Sequence, residues 1–287
     1  MPRTLKIVLA YDGTELVGWQ RQPNGVSVQA RLEDALSAIE GRPVPVVGAG
    51  RTDAGVHALG QVASCQLDHP LPVGPLAAAL NAMLPDDIRV HEVTEADEAF
   101  HARYGARLKT YRYLLLNSAV VSPFERRYVW HVPQRLDVAA MAAGAEYLEG
   151  EHDFAALRAA GSATKTTVRR LTAAAVREGT SAEVVGGSLA LQGVGRAGRI
   201  IAFEFTGTGF LRHMVRNAVG SLVDIGLGRR QPAWMVEVLA SGDRSQAGPT
   251  APARGLFLVG VDYGASAEPR AKSPEPSAVL APPERSL

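Results

Sequence analysis

Leu108-Lys109-Thr110-Tyr111-Arg112-Tyr113-Leu114-Leu115-Leu116 (LKTYRYLLL) is the stretch on which the fold turns. In an extended strand successive side chains point to opposite faces, so Tyr111 and Tyr113 share one face and Thr110 and Arg112 the other. The stretch sits near the middle of a 287-residue chain. On both sides of it, short strand-like runs alternate with helical patterns. Leu5–Tyr11, Gln61–Leu67, Ile88–Val93, Val168–Val176, Ile200–Phe205 and Leu256–Tyr263 read as strands. In Ile200–Phe205, residues Ile201, Phe203 and Phe205 share a face.

Helices are legible between them. Val28, Leu32, Leu36 and Ile39 recur at helical spacing behind the capping candidate Ser27. Pro75–Leu84 and Asp137–Leu148 are rich in alanine. The spacing of Leu211, Val215, Ala218, Leu222 and Ile225 predicts a helix over Phe210–Ile225, with Gly226 and Gly228 after it. Pro232 then opens a short helix to Leu239. Interleaved strands and helices around a central strand imply an α+β fold whose two halves share or extend one sheet.

The expected division is residues 1–106 and residues 107–264. The second half carries an inserted hairpin near 179–199, a stretch rich in Gly, Ala and Ser. Residues 265–287, dominated by Ala, Pro, Ser and charge, read as a disordered tail.

Composition excludes several classes. One cysteine, Cys65, rules out an intramolecular disulfide and a cysteine metal cluster. The opening MPRTLKIVLAYDG has too short an apolar run for a signal peptide, and no run reaches the roughly 18 apolar residues of a membrane span. A cytoplasmic protein without membrane attachment is therefore expected. The net charge of +1 does not itself point to nucleic acid. Its distribution is uneven: residues 1–110 hold 10 Lys+Arg against 13 Asp+Glu, while residues 111–264 hold 17 against 13. Charge alone fits an ordinary mixed surface.

The sharpest segment is Gly48-Ala-Gly-Arg51-Thr52-Asp53-Ala-Gly55-Val-His57-Ala58. It follows an apolar, strand-like run, Val44–Val47, and precedes another strand. Three glycines in eight residues mark a loop of unusual backbone shape. Arg51 and Asp53 can converge there on one small ligand; taken alone, the loop reads more readily as a surface turn with an Arg–Asp ion pair.

Residues 50–62, GRTDAGVHALGQV, resemble the signature loop of the TruA pseudouridine synthases. AYDGTELVGWQRQPN (10–24), AFHARYGARLKTYRY (99–113), GFLRHMVRNAVGSLVDIGLGR (209–229) and ARGLFLVGVDY (253–263) resemble further blocks of that family, in its order. The likeness spans roughly residues 3–263. It implies two ferredoxin-like halves with antiparallel sheets joined around a central cleft. It also implies a homodimer acting on tRNA, on uridines 38, 39 and 40 of the anticodon stem-loop.

The implied reaction breaks the uridine N-glycosidic bond, turns the base and rejoins it through C5. No atom is gained or lost, so no cofactor or metal is expected. The family's aspartate maps onto Asp53, a carboxylate that can attack C1′, attack the base, or assist loss of the 2′-proton. Arg51 maps onto the arginine that fills the gap left by a flipped nucleotide. Tyr111, by itself an ordinary strand tyrosine, maps onto the active-site tyrosine, whose ring can stack on uracil and whose hydroxyl can act as base or hydrogen-bond partner. Arg216 maps onto an arginine able to pair with Asp53. Arg212, one turn earlier, is expected on a solvated basic edge.

Phe100, His101, Ala102, Arg103 and Tyr104 (FHARY), and Thr164, Lys165, Thr166, Thr167 and Val168 (TKTTV), match segments that contact tRNA. His57 is expected to be a structural hydrogen-bonder. Gly193–Gly198 imitates a dinucleotide loop but leads into a strand, so phosphate at a helix N-terminus is excluded. Around His69–Pro75, and at Ala119, basic residues found in some family members are missing.

Two rival functions remain at this level. A non-catalytic RNA-binding module has no use for a carboxylate that repels phosphates. A nucleoside hydrolase would release free uracil.

Overall fold

The computed structural model describes residues 2–162, 164–179 and 198–264. The first half runs β1 (Arg3–Tyr11), α1 (Val28–Glu40), β2 (Val47–Gly48), β3 (His57–Leu67), α2 (Val73–Met83) and β4 (Ile88–Ala96). β1 pairs antiparallel with both β3 and β4, and β2 pairs antiparallel with β3. The spatial order is thus β4-β1-β3-β2, the ferredoxin-like arrangement of a βαββαβ unit.

The second half repeats it. β5 (Leu108–Asn117), α3 (Val138–Glu146), β8 (Val168–Gly179), β9 (Arg199–Gly207), α4 (Met214–Gly226) and β10 (Leu256–Asp262) form the same unit, in order β10-β5-β9-β8 and again antiparallel. β6 (Trp130–Val132) and β7 (Gly150–Asp153) extend it, and α5 (Trp234–Ser241) follows α4. The halves merge into one ten-stranded sheet where β10 runs parallel to β3, with Phe257 opposite His57 and Leu258 opposite Ala58.

Side-chain alternation explains the layers. Leu5, Ile7, Leu9 and Tyr11 of β1, Tyr111, Tyr113 and Leu115 of β5, and Ile201, Phe203 and Phe205 of β9 lie in one continuous core. Val28, Leu32 and Leu36 of α1 and Val215, Ala218, Leu222 and Ile225 of α4 complete it. Leu114, Leu116, Ile200, Ala202 and Phe257 point the other way, into a smaller cluster with Val129. Ser27 caps α1 by accepting from Ala30 N at 3.3 Å, which satisfies one of the helix's orphan amides.

Several expected boundaries move, β3 starting at His57 rather than Gln61 and α2 at Val73 rather than Pro75, and two further shifts have a plain physical reason. α4 starts at Met214 rather than Phe210, because His213 takes a left-handed conformation (φ 62°, ψ 0°) and breaks the helix before it. Of the Val44–Val47 run only Val47 enters a strand; Val44 and Val46 are buried in the core instead. The inserted hairpin near 179–199 lies, apart from its two ends, outside the described residues, as does nearly all of Gly193–Gly198. The 265–287 tail lies wholly outside them. No helix among the described residues is long and apolar enough to cross a membrane.

Candidate active site at the seam of the two halves

The Asp53 loop links β2 to β3 and so emerges where β3 meets β10. Ala58, just past the loop, lies opposite Leu258, and Leu258 lies opposite Tyr111 on β5. Tyr111 is in turn opposite Phe205 on β9, shortly before the chain leaves the sheet for residues 209–213. Sheet register alone therefore brings Tyr111, the Asp53 loop and the approach to α4 to one place.

The loop is held mainly through its backbone. Trp19 N donates to Thr52 O (3.1 Å), Gly55 N to Leu16 O (3.3 Å) and Val56 N to Asp53 O (3.1 Å). Gln61 Nε2 donates to Gly50 O, and the Tyr11 and Thr52 hydroxyls are 2.9 Å apart. Residues 12–19 lie directly against it. Gly18 has φ 102°, and a Cβ there would sit 2.4 Å from Thr52 O. Gly55 supplies a second left-handed residue at φ 75°.

His57 ties the loop to the second half. Its Nδ1 accepts from Gly13 N (3.0 Å), and its Nε2 lies 3.2 Å and 3.1 Å from the carbonyls of Arg127 and Arg254. Two carbonyl partners require Nε2 to carry a proton. The Nδ1–Asp12 approach at 3.1 Å competes with the Gly13 bond for the same nitrogen. The ring stacks on Phe257 (centroids 4.7 Å apart) and is almost wholly buried, so the structural role expected of it holds. Burial works against ionisation of Asp12, but bonds donated by Thr14 and Tyr128 outweigh it and hold the carboxyl well below the usual range.

Asp53 is 30% exposed and faces two arginines and a histidine. His213 Nε2 is 3.5 Å and Arg216 Nη1 3.9 Å from Oδ2, and Arg212 Nε is 3.7 Å from Oδ1. Arg216 is anchored by its Nε donating to Ala251 O (2.7 Å). Its burial lowers its pKa, and Asp53 opposes that shift. Tyr111 is buried, its ring edge-on to Phe210 (4.9 Å), and burial pushes its phenol far above the ordinary value. Lys109, two residues earlier on β5, lies with Tyr111 over Gly50, and its pKa falls by burial and by Arg103.

These residues line a cleft of about 1040 Å³. Among the described residues its charged lining comprises Arg51, Arg103, Lys109, Arg169, Arg212 and Arg216, with Asp53 as the single carboxylate. Its mouth carries Tyr104, 78% exposed, stacked on His101 (4.3 Å) and approached by Arg103. Among the described residues no group of three or more His, Cys, Asp or Glu could hold a metal.

The structure thus brings Asp53, Arg51, Tyr111 and Arg216 together, with Arg103 and Tyr104 at the rim. The simple Arg51–Asp53 ion pair does not form among the described residues; the cations at Asp53 come from the other wall. Arg212 is solvated as expected, but it precedes α4 rather than lying on it, and its Nε approaches Asp53. Of FHARY, Phe100 packs on Tyr263 (5.1 Å), and Ala102 is fully buried, accepting from Tyr263 Oη. Thr164–Val168 does not line the cleft, whereas its neighbours Ser162 and Arg169 do. Lys109, Arg169, Arg212 and His213 were not found from sequence. Strand alternation from Tyr111 would have found Lys109; nothing local marks Arg169.

Comparison with known proteins agrees with this geometry. A family profile described as tRNA pseudouridine synthase matches residues 7–105 and 145–264. The tRNA pseudouridine synthase A of Myxococcus xanthus is 46% identical over 263 residues, 92% of each chain. That of Moorella thermoacetica is 45% identical over 90% of this chain and 99% of its own, and that of Acetivibrio thermocellus 42% over 91% and 100%. A seam cleft with one carboxylate among cations and whole-length likeness to these proteins lead to one conclusion: the chain belongs to the tRNA pseudouridine synthase family, isomerases of uridine in tRNA.

Proposed function

We propose that this chain isomerises uridine to pseudouridine at positions 38, 39 and 40 of the tRNA anticodon stem-loop, with Asp53 as nucleophile. The observation that carries this is the carboxylate of Asp53, the only one among the described residues of the cleft lining, set among six Lys and Arg side chains. Phosphates are drawn to the rim by Arg103, Lys109, Arg169 and Arg212, while a flipped uridine meets Asp53 beneath them. Through the reaction the N1–C1′ bond breaks, C1′ joins C5, the C5 proton leaves to solvent and N1 gains a proton. Asp53 holds the intermediate while the base turns.

Arg216, anchored on Ala251 O, faces the Asp53 carboxylate and offsets its charge. Arg51 stands ready to fill the gap left in the RNA stack. Tyr111, kept neutral by burial, acts as ring contact and hydrogen-bond donor rather than as base. The two halves, 1–106 and 107–264, form the two walls, and a homodimer in the cytoplasm completes the tRNA platform, as the family resemblance suggests. Phe100–Tyr104 binds RNA through Arg103 and Tyr104, and Thr164–Val168 contacts it outside the cleft.

The test is purified protein with an unmodified tRNA transcript and site-by-site mapping of pseudouridine. Product at 38–40 that disappears in Asp53→Ala supports the reading. Product that persists in that variant, or release of free uracil, removes it.

A further inference from the structure

His213 is the only non-glycine residue with positive φ among the described residues. Histidine tolerates this conformation better than most side chains, yet glycine would adopt it without strain. The chain is held there from three sides. Met214 N donates to Leu211 O (3.1 Å), Asn217 N to His213 O (2.8 Å), and Ala159 N to Arg212 O (2.9 Å). Asn217 is itself buried, donating to Leu157 O and accepting from Arg244 and Thr250. Backbone strain that the surroundings enforce in this way collects at functional sites.

The result of the strain is placement. The left-handed turn ends the 209–212 segment and starts α4, so that Arg212, His213 and Arg216 all reach one carboxylate. The two oxygens of Asp53 are treated differently. Oδ2 meets His213 (3.5 Å) and the anchored Arg216 (3.9 Å), whose side chains are 24% and 15% exposed. Oδ1 meets Arg212, whose side chain is 60% exposed.

We propose that His213 is the positioning residue of Asp53: its imidazole donates from Nε2 to Oδ2, fixing the carboxylate with Oδ1 turned to the flipped uridine. The proposal rests on the reading of Asp53 given above. At 3.5 Å the contact is longer than a formed hydrogen bond, and such contacts tighten when substrate closes the site. The imidazole is kept neutral. Burial lowers its pKa, Arg216, Arg212 and Arg244 lower it further, and Asp53 alone opposes them. A neutral donor orients the carboxylate without adding a third cation to the two arginines that already face it. Arg212 is the cation that can swing away to a phosphate as substrate enters.

The experiment is steady-state and single-turnover pseudouridine formation on tRNA transcript by wild type, His213→Gly and His213→Asn, with melting temperatures. His213→Gly relieves the backbone but removes the donor. It is expected to lower kcat about 10- to 100-fold, the worth of a hydrogen bond to a charged group. KM for tRNA should not change and the melting temperature should be no lower. His213→Asn accepts the left-handed conformation, but its amide reaches only to where Nδ1 stands, so it should lose kcat as His213→Gly does while the melting temperature is kept. In wild type kcat should fall as acid protonates the imidazole, and this limb should be missing in His213→Asn. Wild-type kcat in His213→Gly overturns the proposal, as does equal loss in both variants with a lowered melting temperature. An inactive wild type overturns the reading of the site itself.

Discussion

The loop that carries Asp53 and the turn that faces it are held by different means. Residues 50–56 lie backbone to backbone against residues 13–19, with Gly18 pressed on Thr52 and His57 bonding to carbonyls of the second half. Residues 209–213 reach their place through one strained residue, a few hydrogen bonds and the buried Leu211, and the side chains of Arg212 and His213 are partly exposed. One wall fixes the acid rigidly. The other offers cations that can re-form around a substrate. The difference teaches that a single carboxylate needs a stiff mount, while phosphate contacts work on an adaptable surface.

Substitutions at the backbone contacts break this contrast most sharply. Gly18→Ala forces a Cβ to within 2.4 Å of Thr52 O at φ 102°. A cost of about 3 kcal/mol or more is expected, read by denaturant unfolding. Gly209→Ala on the other wall meets only the Arg169 side chain at 3.5 Å and should cost under about 1 kcal/mol. Equal effects would erase the distinction between the walls.

His57→Ala comes next. It leaves Gly13 N and two carbonyls without their partner and removes the stack on Phe257, for an expected loss of about 2–3 kcal/mol. Activity should fall only as the folded fraction falls, whereas His213 variants lose kcat while folded.

Asp12 sharpens the same contrast through pH. Its folded pKa is depressed below the unfolded value of about 4, so the stability it contributes is present above that pH and lost as pH falls below it. Asp12→Asn should lower stability at neutral pH and flatten the decline below about pH 4, measured as melting temperature against pH.

The smallest effect is expected at Arg212. Its ion pair is long and its side chain exposed, so Arg212→Ala should change stability by less than about 0.5 kcal/mol. Its effect should appear instead as a reduction of about one in the salt slope of tRNA binding.

Much of this architecture was readable in the sequence, because alternation and helical spacing are local. Leu5–Tyr11, Val28–Ile39 and Ile201–Phe205 each carried their own pattern. The Asp53 loop was readable through its resemblance to a family signature, and Tyr111 and Arg216 came with it. Lys109 was available from alternation alone and was overlooked. His213 and Arg212 were hidden because an apolar stripe beginning at Leu211 imitates a helix, while a left-handed residue in mid-pattern has no signal in side-chain spacing. Arg169 enters the cleft only because β8 pairs with β9, a contact made across the chain.

The most direct measurement of the central claim is tritium release from C5-labelled uridine in tRNA by Asp53→Asn, at protein concentrations that saturate binding. Asparagine keeps the size and removes the charge, so tRNA should bind at least as tightly among the remaining cations while release falls by about 10³-fold or more. Release near the wild-type rate from tRNA fully bound to that variant would contradict the account.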